Sequence, residues 1–377
     1  MEGGTLDMDA LASASGTAER GAPPWPAWKP RLWQPGGLHI EGGRRLGPSA
    51  PVVAPRQGPL VSYITVVKNA APTLARTLRS VATQTWPHVE HIVLDGASTD
   101  GTLEIIAEHA AALDYYASAP DTGLYDALNK AIELATGELI CVLNADDWLT
   151  PDAAALAARA HASKPGMGPR LLLSAAWWMD GDRKSIWLPT RLTPAVVLTC
   201  ANVCHNAVYA TRAAYEATGP YRTDLRVAAD FAWLVQCQRA RVAFEYLDLP
   251  TIHYSMGGLS SDTLRHTQDC VQVLRHHVPA LSDAEAWGLV HCFHTFDSNL
   301  LACAKTKPVH HGRFLLDLAH RHADDPYLMQ ALALASAARM THPADTTPGS
   351  KLTRREKLSR SLQKRGLALR ALWRGLQ

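Results

Sequence analysis

Two carboxylates stand side by side in Asn144-Ala145-Asp146-Asp147, and Asp95-Gly96-Ala97-Ser98-Thr99-Asp100 gathers further side-chain oxygens earlier in the chain. Adjacent carboxylates repel, and holding both ionised near neutral pH is easiest with a cation beside them. Oxygen ligands without histidine or cysteine nearby suit Mg2+ or Mn2+, which bind one or two carboxylates and complete their shell with water and phosphate oxygens. A metal-bridged diphosphate is the ligand this chemistry implies. The competing reading is helix capping: Ser98, Thr99 or Asp100 for the helix that follows them, and Asp147 or Thr150 for one opening at Pro151. Two like charges in succession make capping alone a poor account of Asp146 and Asp147. No Gly-x-x-x-x-Gly-Lys-[Ser/Thr] loop and no Gly-x-Gly-x-x-Gly occurs, so P-loop and dinucleotide-binding readings lack their phosphate cradle.

These residues need elements to hold them. Leu60 to Val67 is an apolar, β-rich run of the length of a buried strand, and Val89 to Leu94 reads the same way. Pro72 fits the first turn of a helix with Leu74, Leu78 and Val81 on one face. A second helix carries Leu103, Ile106, Ala110 and Leu113, and a third, Tyr125 to Ala135, stops at Gly137 before the strand Glu138 to Leu143. This alternation predicts βαβ units and a mainly parallel sheet covered on both faces. In such sheets ligands sit beyond the carboxyl ends of the strands. Lys68-Asn69, Asp95 to Asp100 and Asn144 to Asp147 therefore share one rim.

Thr65-Val66-Val67-Lys68-Asn69, the run Asp95 to Thr102, the run Pro120 to Lys130 and the run Gly137 to Trp148 together resemble glycosyltransferase family 2. The resemblance continues to Ser261 through Cys204 to Tyr209, Ala228-Ala229-Asp230-Phe231 and His253 to Ser261, and looks most like the branch that builds bacterial exopolysaccharide or lipid-linked glycans. It implies an α/β fold of GT-A type, with a Rossmann-like, mainly parallel sheet flanked by helices. It also implies inverting transfer of a sugar from a nucleoside diphosphate, UDP being the commonest donor type, to a hydroxyl of a glycan or lipid-linked acceptor in cell-surface polysaccharide biosynthesis. Carried over residue by residue, Thr65, Asn69, Asp95, Asp121 and Lys130 bind the donor. Asn144 stands at the donor site where the first aspartate of the family's metal motif often is. Asp146 stands at the second and is the first metal ligand, with Asp147 next. Asp230 matches the catalytic base, although Ala229 and Ala232 replace common acidic neighbours. His253, just before Gly257-Gly258, is expected at the metal or diphosphate, and His205 at the acceptor. The rival reading is a non-catalytic sugar- or nucleotide-binding protein on the same fold, suggested by Asn144 and Ala229 and opposed by intact Asp146, Asp147 and Asp230. A sugar nucleotidyltransferase would carry a glycine-rich loop where this chain has Lys68-Asn69-Ala70-Ala71.

Composition sets the remaining bounds. A 47% hydrophobic share over 377 residues permits a large core, and a net charge of +2 is far from the basic balance of a dedicated nucleic-acid binder. Seven cysteines, never as Cys-x-x-Cys, suggest reduced, buried thiols in a cytoplasmic protein. No apolar run reaches the length of a membrane span, and the start lacks a secretory pattern. Residues 1–59, rich in Gly, Pro, Ala and Ser, are expected to be mostly disordered, with Trp25, Trp28 and Trp33 free to dock. The glycosyltransferase domain is expected over 60–261, a helical extension over 262–340, and a linker with a basic amphipathic helix over 341–377. In that helix Leu358, Leu362, Leu369, Leu372, Trp373 and Leu376 share a face among many Lys and Arg, which suits an anionic membrane surface and a peripheral place at the inner face of the cell membrane. His291-Cys292-Phe293-His294 reads as packed helix rather than a metal site.

Overall fold

A computed structural model describes residues 40–46, 57–181, 183–199, 203–255, 262–293 and 308–341. In chain order the first half runs β1 (Ile40–Gly42), β2 (Val61–Val67), α1 (Ala71–Ala82), β3 (Val89–Asp95), α2 (Thr102–Glu108), β4 (Tyr115–Ser118), α3 (Leu124–Leu134), β5 (Leu139–Val142), β6 (Trp148–Leu149) and α4 (Ala153–Ala162). The second half runs β7 (Arg170–Asp180), β8 (Arg183–Trp187), α5 (Val196–Thr199), β9 (Val208–Thr211), α6 (Arg212–Thr218), α7 (Ala229–Arg239), β10 (Ala243–Ser255), α8 (Thr263–His277), α9 (Asp283–Phe293), α10 (Pro308–Arg321) and α11 (Pro326–Thr341).

The strands form one sheet in the order β1-β4-β3-β2-β5-β9-β7-β10-β6, with β8 pairing β7 off that path. β2 is parallel to both β3 and β5, and β3 is parallel to β4, which is the βαβ core the sequence predicts. β9 breaks the pattern by running antiparallel to both β5 and β7. All seven residues of β2 are buried, because helices cover the sheet on both sides; its buried hydroxyls are satisfied inside, Ser62 by Glu90 and Thr65 by His91. On one face Ile64, Ile92 and Ile140 pack with Leu128 and Ile132 of α3 and with Phe231 and Trp233 of α7. On the other, Val61, Tyr63 and Leu139 meet Ala153, Ala154, Ala157 and Ala158 of α4, whose small side chains let helix and sheet approach closely. Leu74 and Leu78 of α1 join Val67, Val93 and Ile106 in a third cluster.

Gly137 has a different purpose from the helix stop expected of it. α3 ends on Ala135 in an extended conformation. A Cβ on Gly137 would lie 2.5 Å from Ser62 Oγ and 2.7 Å from the Leu60 carbonyl, so the glycine permits a close strand approach.

Part of the N-terminal segment joins the sheet. Ile40 to Gly42 pair with Ser118 to Tyr116, Arg44 reaches Asp114 at 2.8 Å, and Arg45 is bonded to the buried Glu90 and, at 2.8 Å, to the Leu134 carbonyl. Trp25, Trp28, Trp33, the Gly257-Gly258 stretch and the basic segment 351–377 lie outside the described residues. The expected extension is helical where described. Cys270, Val273 and Leu274 of α8 and Leu289 and Phe293 of α9 enter the same core as α7. His291 to Phe293 close α9 as packed helix, and among the described residues no group of three or more His, Cys, Asp and Glu side chains could hold a metal ion. Cys141, Cys204 and Cys237 are free and buried, and Cys270 and Cys292 are buried as well. Among the described residues no helix is long and apolar enough to cross a membrane.

Candidate active site

The carboxyl ends of β2 and β3 are tied together by loop residues. Asn69 adopts a left-handed φ of 54°, which asparagine tolerates better than most side chains. Its amide donates to Ser98 Oγ at 2.7 Å, and its side-chain oxygen accepts the Thr99 amide at 2.9 Å. Asp95 is 3% exposed. Its Oδ2 accepts the Ser98 amide at 3.0 Å and the Ser118 hydroxyl at 2.6 Å, while Oδ1 is bonded to Ser98 Oγ. In this structure Asp95 therefore shapes the 95–98 turn rather than opening onto a ligand. Asp100 caps: its oxygens accept the Thr102 amide at 3.1 Å, the Thr102 hydroxyl at 2.6 Å and the Ala71 amide at 3.1 Å, joining the first turns of α1 and α2. The Thr102 hydroxyl is the leading cause holding its carboxyl below the usual range.

Thr65, expected to bind the donor, is fully buried within β2, with its hydroxyl 3.1 Å from His91 Nε2. It is a packing residue. Burial pushes His91 down to about 3, so the ring is neutral. Asp121 does reach the rim, accepting the Gly123 amide at 2.9 Å. A Cβ at Gly96 would stand 2.6 Å from Asp121 Oδ2 and 3.5 Å from Lys68 Cδ, so the bare glycine lets three rim loops converge. Lys130, expected at the donor, is paired with Asp126 at 2.7 Å one helical turn away, so its ammonium is matched by its own helix.

The 144–147 loop is clamped from three sides. The Thr77 hydroxyl of α1 lies 2.9 Å from the Ala145 carbonyl and 2.6 Å from that of Asp147. The Asp146 carbonyl accepts Arg76 Nη2 and the Ser255 hydroxyl, each at 2.8 Å. Asp147, expected to share a cation with Asp146, is 0% exposed. Its Oδ1 accepts the Ser255 amide at 2.7 Å, and its Oδ2 is bonded to Asn206 Nδ2. Both oxygens face inward, so Asp147 is a latch between three segments and is not presented to a cation. Burial pushes its carboxyl up to about 7. Asp146 differs. It is half-buried, its carboxyl is raised by that burial and opposed by its own backbone amide and Arg76, and among the described residues its carboxylate bonds to no other side chain. Asn144, half-buried beside it, accepts the Asp147 amide through its carbonyl at 3.2 Å.

Across the sheet, Asp230 sits in the first turn of α7. Oδ1 accepts the Phe231 amide at 2.8 Å and lies 3.3 Å from the Tyr125 hydroxyl, whose proton is directed at the Val227 carbonyl, 2.7 Å away. Burial first, and the Asp230 charge second, hold the Tyr125 phenol well above its usual value, so it remains a donor. Oδ2 of Asp230 has no partner among the described residues. His205 lies behind, its Nε2 2.8 Å from the Tyr221 hydroxyl and its ring edge-on to Tyr221 and Trp233. Burial lowers its basicity, with Asp230 pulling the other way. Expected at the acceptor, it is instead part of the aromatic packing that backs Asp230.

His253 belongs to β10 and stacks on Trp148 at 4.7 Å with the rings 2° apart. Arg76 covers Trp148 at 3.7 Å, and Lys184 stands 3.2 Å from His253 Nε2 and 4.1 Å from the Trp177 ring centre. Burial, Lys184 and Arg76 all favour neutral His253. Its Nε2 lone pair faces an ammonium rather than a metal position.

The structure thus sets an open carboxylate with nearby cationic side chains at the carboxyl end of the parallel strands, and a second open carboxylate oxygen at the start of α7. The first can face a phosphate-bearing ligand and the second can accept a proton. The sequence singled out Asp146 by its place at a strand end and Asp230 by the family resemblance. Tyr125, Asn206 and Ser255 lay inside recognised stretches, but nothing local marked them as the partners that hold those aspartates.

The family model described as Glycosyl transferase family 2 matches residues 62–166. A PGL/p-HBAD biosynthesis glycosyltransferase of Mycobacterium tuberculosis is 31% identical over 217 residues, covering 54% of this chain and 80% of that protein. An uncharacterized glycosyltransferase of the same species is 38% identical over 127 residues, or 33% of this chain and 46% of that protein. Among solved structures, S. aureus TarS 1-349 in complex with UDP-GlcNAc superposes with a TM-score of 0.51 at 16% identity, covering 79% of this chain and 98% of that one. Against the longer TarS structure the coverage is 75% of this chain and 53% of that one, at the same TM-score of 0.51 and 17% identity. The folds agree, and the sequence relationship extends over most of the length of the Mycobacterium protein: this chain belongs to glycosyltransferase family 2.

Proposed function

We propose that the protein transfers a sugar, with inversion, from a nucleoside diphosphate, UDP by preference, to a hydroxyl of a glycan or lipid-linked acceptor in cell-surface polysaccharide biosynthesis. The observation that carries the mechanism is Asp230, fixed through Oδ1 and free at Oδ2. Oδ2 takes the acceptor's hydroxyl proton as the acceptor oxygen bonds to the anomeric carbon. The bond from that carbon to the diphosphate breaks on the opposite face, and the nucleoside diphosphate departs. Attack from the face opposite the leaving group inverts the anomeric centre.

Asp146 would hold Mg2+ or Mn2+, alongside phosphate oxygens and water, which fits one open carboxylate. Such a cation, when bound, neutralises charge on the leaving diphosphate. Arg76 and Lys68 add positive charge near the same rim, while Asn69, Asp121 and Asn144 line it. Asp147 and Asp95 act by shaping the loops. A peripheral position at the inner face of the cell membrane fits a lipid-linked acceptor; co-sedimentation with anionic liposomes, with and without residues 351–377, tests it.

The function is tested by incubating the protein with a panel of nucleotide sugars and Mn2+ or Mg2+ and scoring nucleoside diphosphate release, with Asp230→Asn alongside. Release from one donor, a product of inverted configuration by NMR, and a loss of about 10²-fold or more in kcat for Asp230→Asn are expected. Full activity in the variant removes Asp230 from the mechanism.

A further inference from the structure

Asp269 lies within α8, in the helical extension beyond the sheet, and is 4% exposed. Its Oδ2 accepts the amides of Arg226 at 2.9 Å, Val227 at 2.7 Å and Ala228 at 3.1 Å. Those amides belong to the turn that delivers the chain into α7, where Asp230 sits in the first turn. Among the described residues no cation pairs with Asp269, so this buried charge is compensated by backbone amides. Successive amides aimed at one anion form a concave nest, and bonds to an ionised acceptor are stronger than neutral ones.

The same turn is held from its other side. The Val227 carbonyl accepts the Tyr125 hydroxyl at 2.7 Å, and that hydroxyl is also the neighbour of Asp230 Oδ1 at 3.3 Å. One residue, Val227, is therefore gripped through its amide by α8 and through its carbonyl by α3. The direction in which Asp230 leaves the turn is set between those grips. The helices expected as an appendage to the catalytic fold reach the reacting centre through one carboxylate.

We propose that Asp269 is a positioning residue for Asp230: it holds the 226–228 turn so that the free oxygen of Asp230 meets the acceptor hydroxyl. This rests on the reading of Asp230 as proton acceptor. Misplacing a catalytic group by about 1 Å can cost about 10²-fold in rate. Asp269→Asn replaces an anion by a weaker neutral acceptor of the same shape, and it should lower kcat by about tenfold or more while leaving the donor KM within about twofold. Asp269→Glu keeps the charge and should recover most of the loss. It also serves where the Asn variant folds poorly.

The deciding experiment is a double-mutant cycle on the full chain, reading nucleoside diphosphate release with melting temperature as the control for folding. In the Asp230→Asn background, Asp269→Asn should cost almost nothing further, because the group it positions is already disabled. Hydrogen exchange should show faster exchange at Arg226, Val227 and Ala228 in Asp269→Asn, with the Asn69 and Ser98 amides unchanged. Equal losses in both backgrounds would overturn the proposal, as would a normal kcat with exposed 226–228 amides. An inactive Asp230→Asn beside an unimpaired Asp269→Asn sinks this proposal alone. An Asp230→Asn enzyme as active as the wild type sinks the proton-acceptor reading, and this one with it.

Discussion

Asp147 Oδ1 accepts the backbone amide of Ser255 at 2.7 Å, binding the loop after β5 to the last residue of β10. With Asn206 on its other oxygen, this buried carboxylate gathers segments far apart in sequence at the edge of the candidate site. Asp147→Ala leaves a half-buried amide and a buried side-chain donor without their acceptor. We expect a loss of ~2–4 kcal/mol in stability, read by urea unfolding; a loss under ~1 kcal/mol would mean that the latch closes little.

The same residue makes stability depend on pH. Its folded-state carboxyl is raised to about 7, above an unfolded value of about 3.9, so the folded chain holds the extra proton between those limits. Its contribution is complete below the unfolded value and fades as pH rises through about 7. Between about pH 6 and about pH 8 the wild type should lose stability relative to Asp147→Asn. Parallel unfolding curves at the two pH values contradict the assignment.

Gly96→Ala tests the convergence of the rim loops. The added methyl would fall 2.6 Å from Asp121 Oδ2, so Asp121 must move while the fold persists. Donor KM should rise about fivefold or more with kcat less affected. Steady-state kinetics over donor concentration decide it, and an unchanged KM removes Asp121 from the donor site.

Tyr125→Phe removes the hydroxyl shared by the Val227 carbonyl and Asp230. A buried carbonyl loses its donor, at a cost of ~1–2 kcal/mol, and kcat should fall about tenfold with donor KM nearly constant. Circular dichroism melts and single-turnover assays separate the two effects. Loss of stability with full kcat would assign the hydroxyl to packing alone.

Asp146→Asn should raise the Mn2+ concentration needed for half-maximal activity by about tenfold or more after treatment with a chelator, because this carboxylate is the open one in its loop. Asp147→Asn should shift that titration far less. Equal shifts for both would restore Asp147 as a ligand.

What the sequence disclosed follows from what each residue type must do. β2, β3 and β5 were legible because strands sealed on both faces are mostly apolar, with Ser62, Thr65, Glu90 and His91 as buried exceptions. The antiparallel entry of β9 was not, since pairing Leu139 with Thr211 is a non-local choice. Asp146 drew notice because two carboxylates in succession at a strand end are poorly explained by packing or capping, whereas Asp230, an ordinary place for an aspartate in a helix's first turn, was marked by the resemblance to glycosyltransferase family 2. Thr65 and Asp95 carry the right chemical types, but whether a side chain turns into the sheet or out of it depends on neighbours such as His91 and Ser118. Asp269 left no local signal because its partners lie more than forty residues earlier, at a separation of 43 for Arg226.

The Arg45 clamp on Glu90 has a practical consequence for dissecting the molecule. Glu90 is near the start of β3 and Asp95 at its end, so the guanidinium braces the side of the sheet away from the ligand rim. A fragment trimmed to begin at Leu60, where the apolar pattern starts, would strand an acid in the interior without its counter-ion and leave the edge of β4 bare. Such a fragment should aggregate through that uncovered strand, whereas one beginning upstream of Ile40 keeps both its neutraliser and its border.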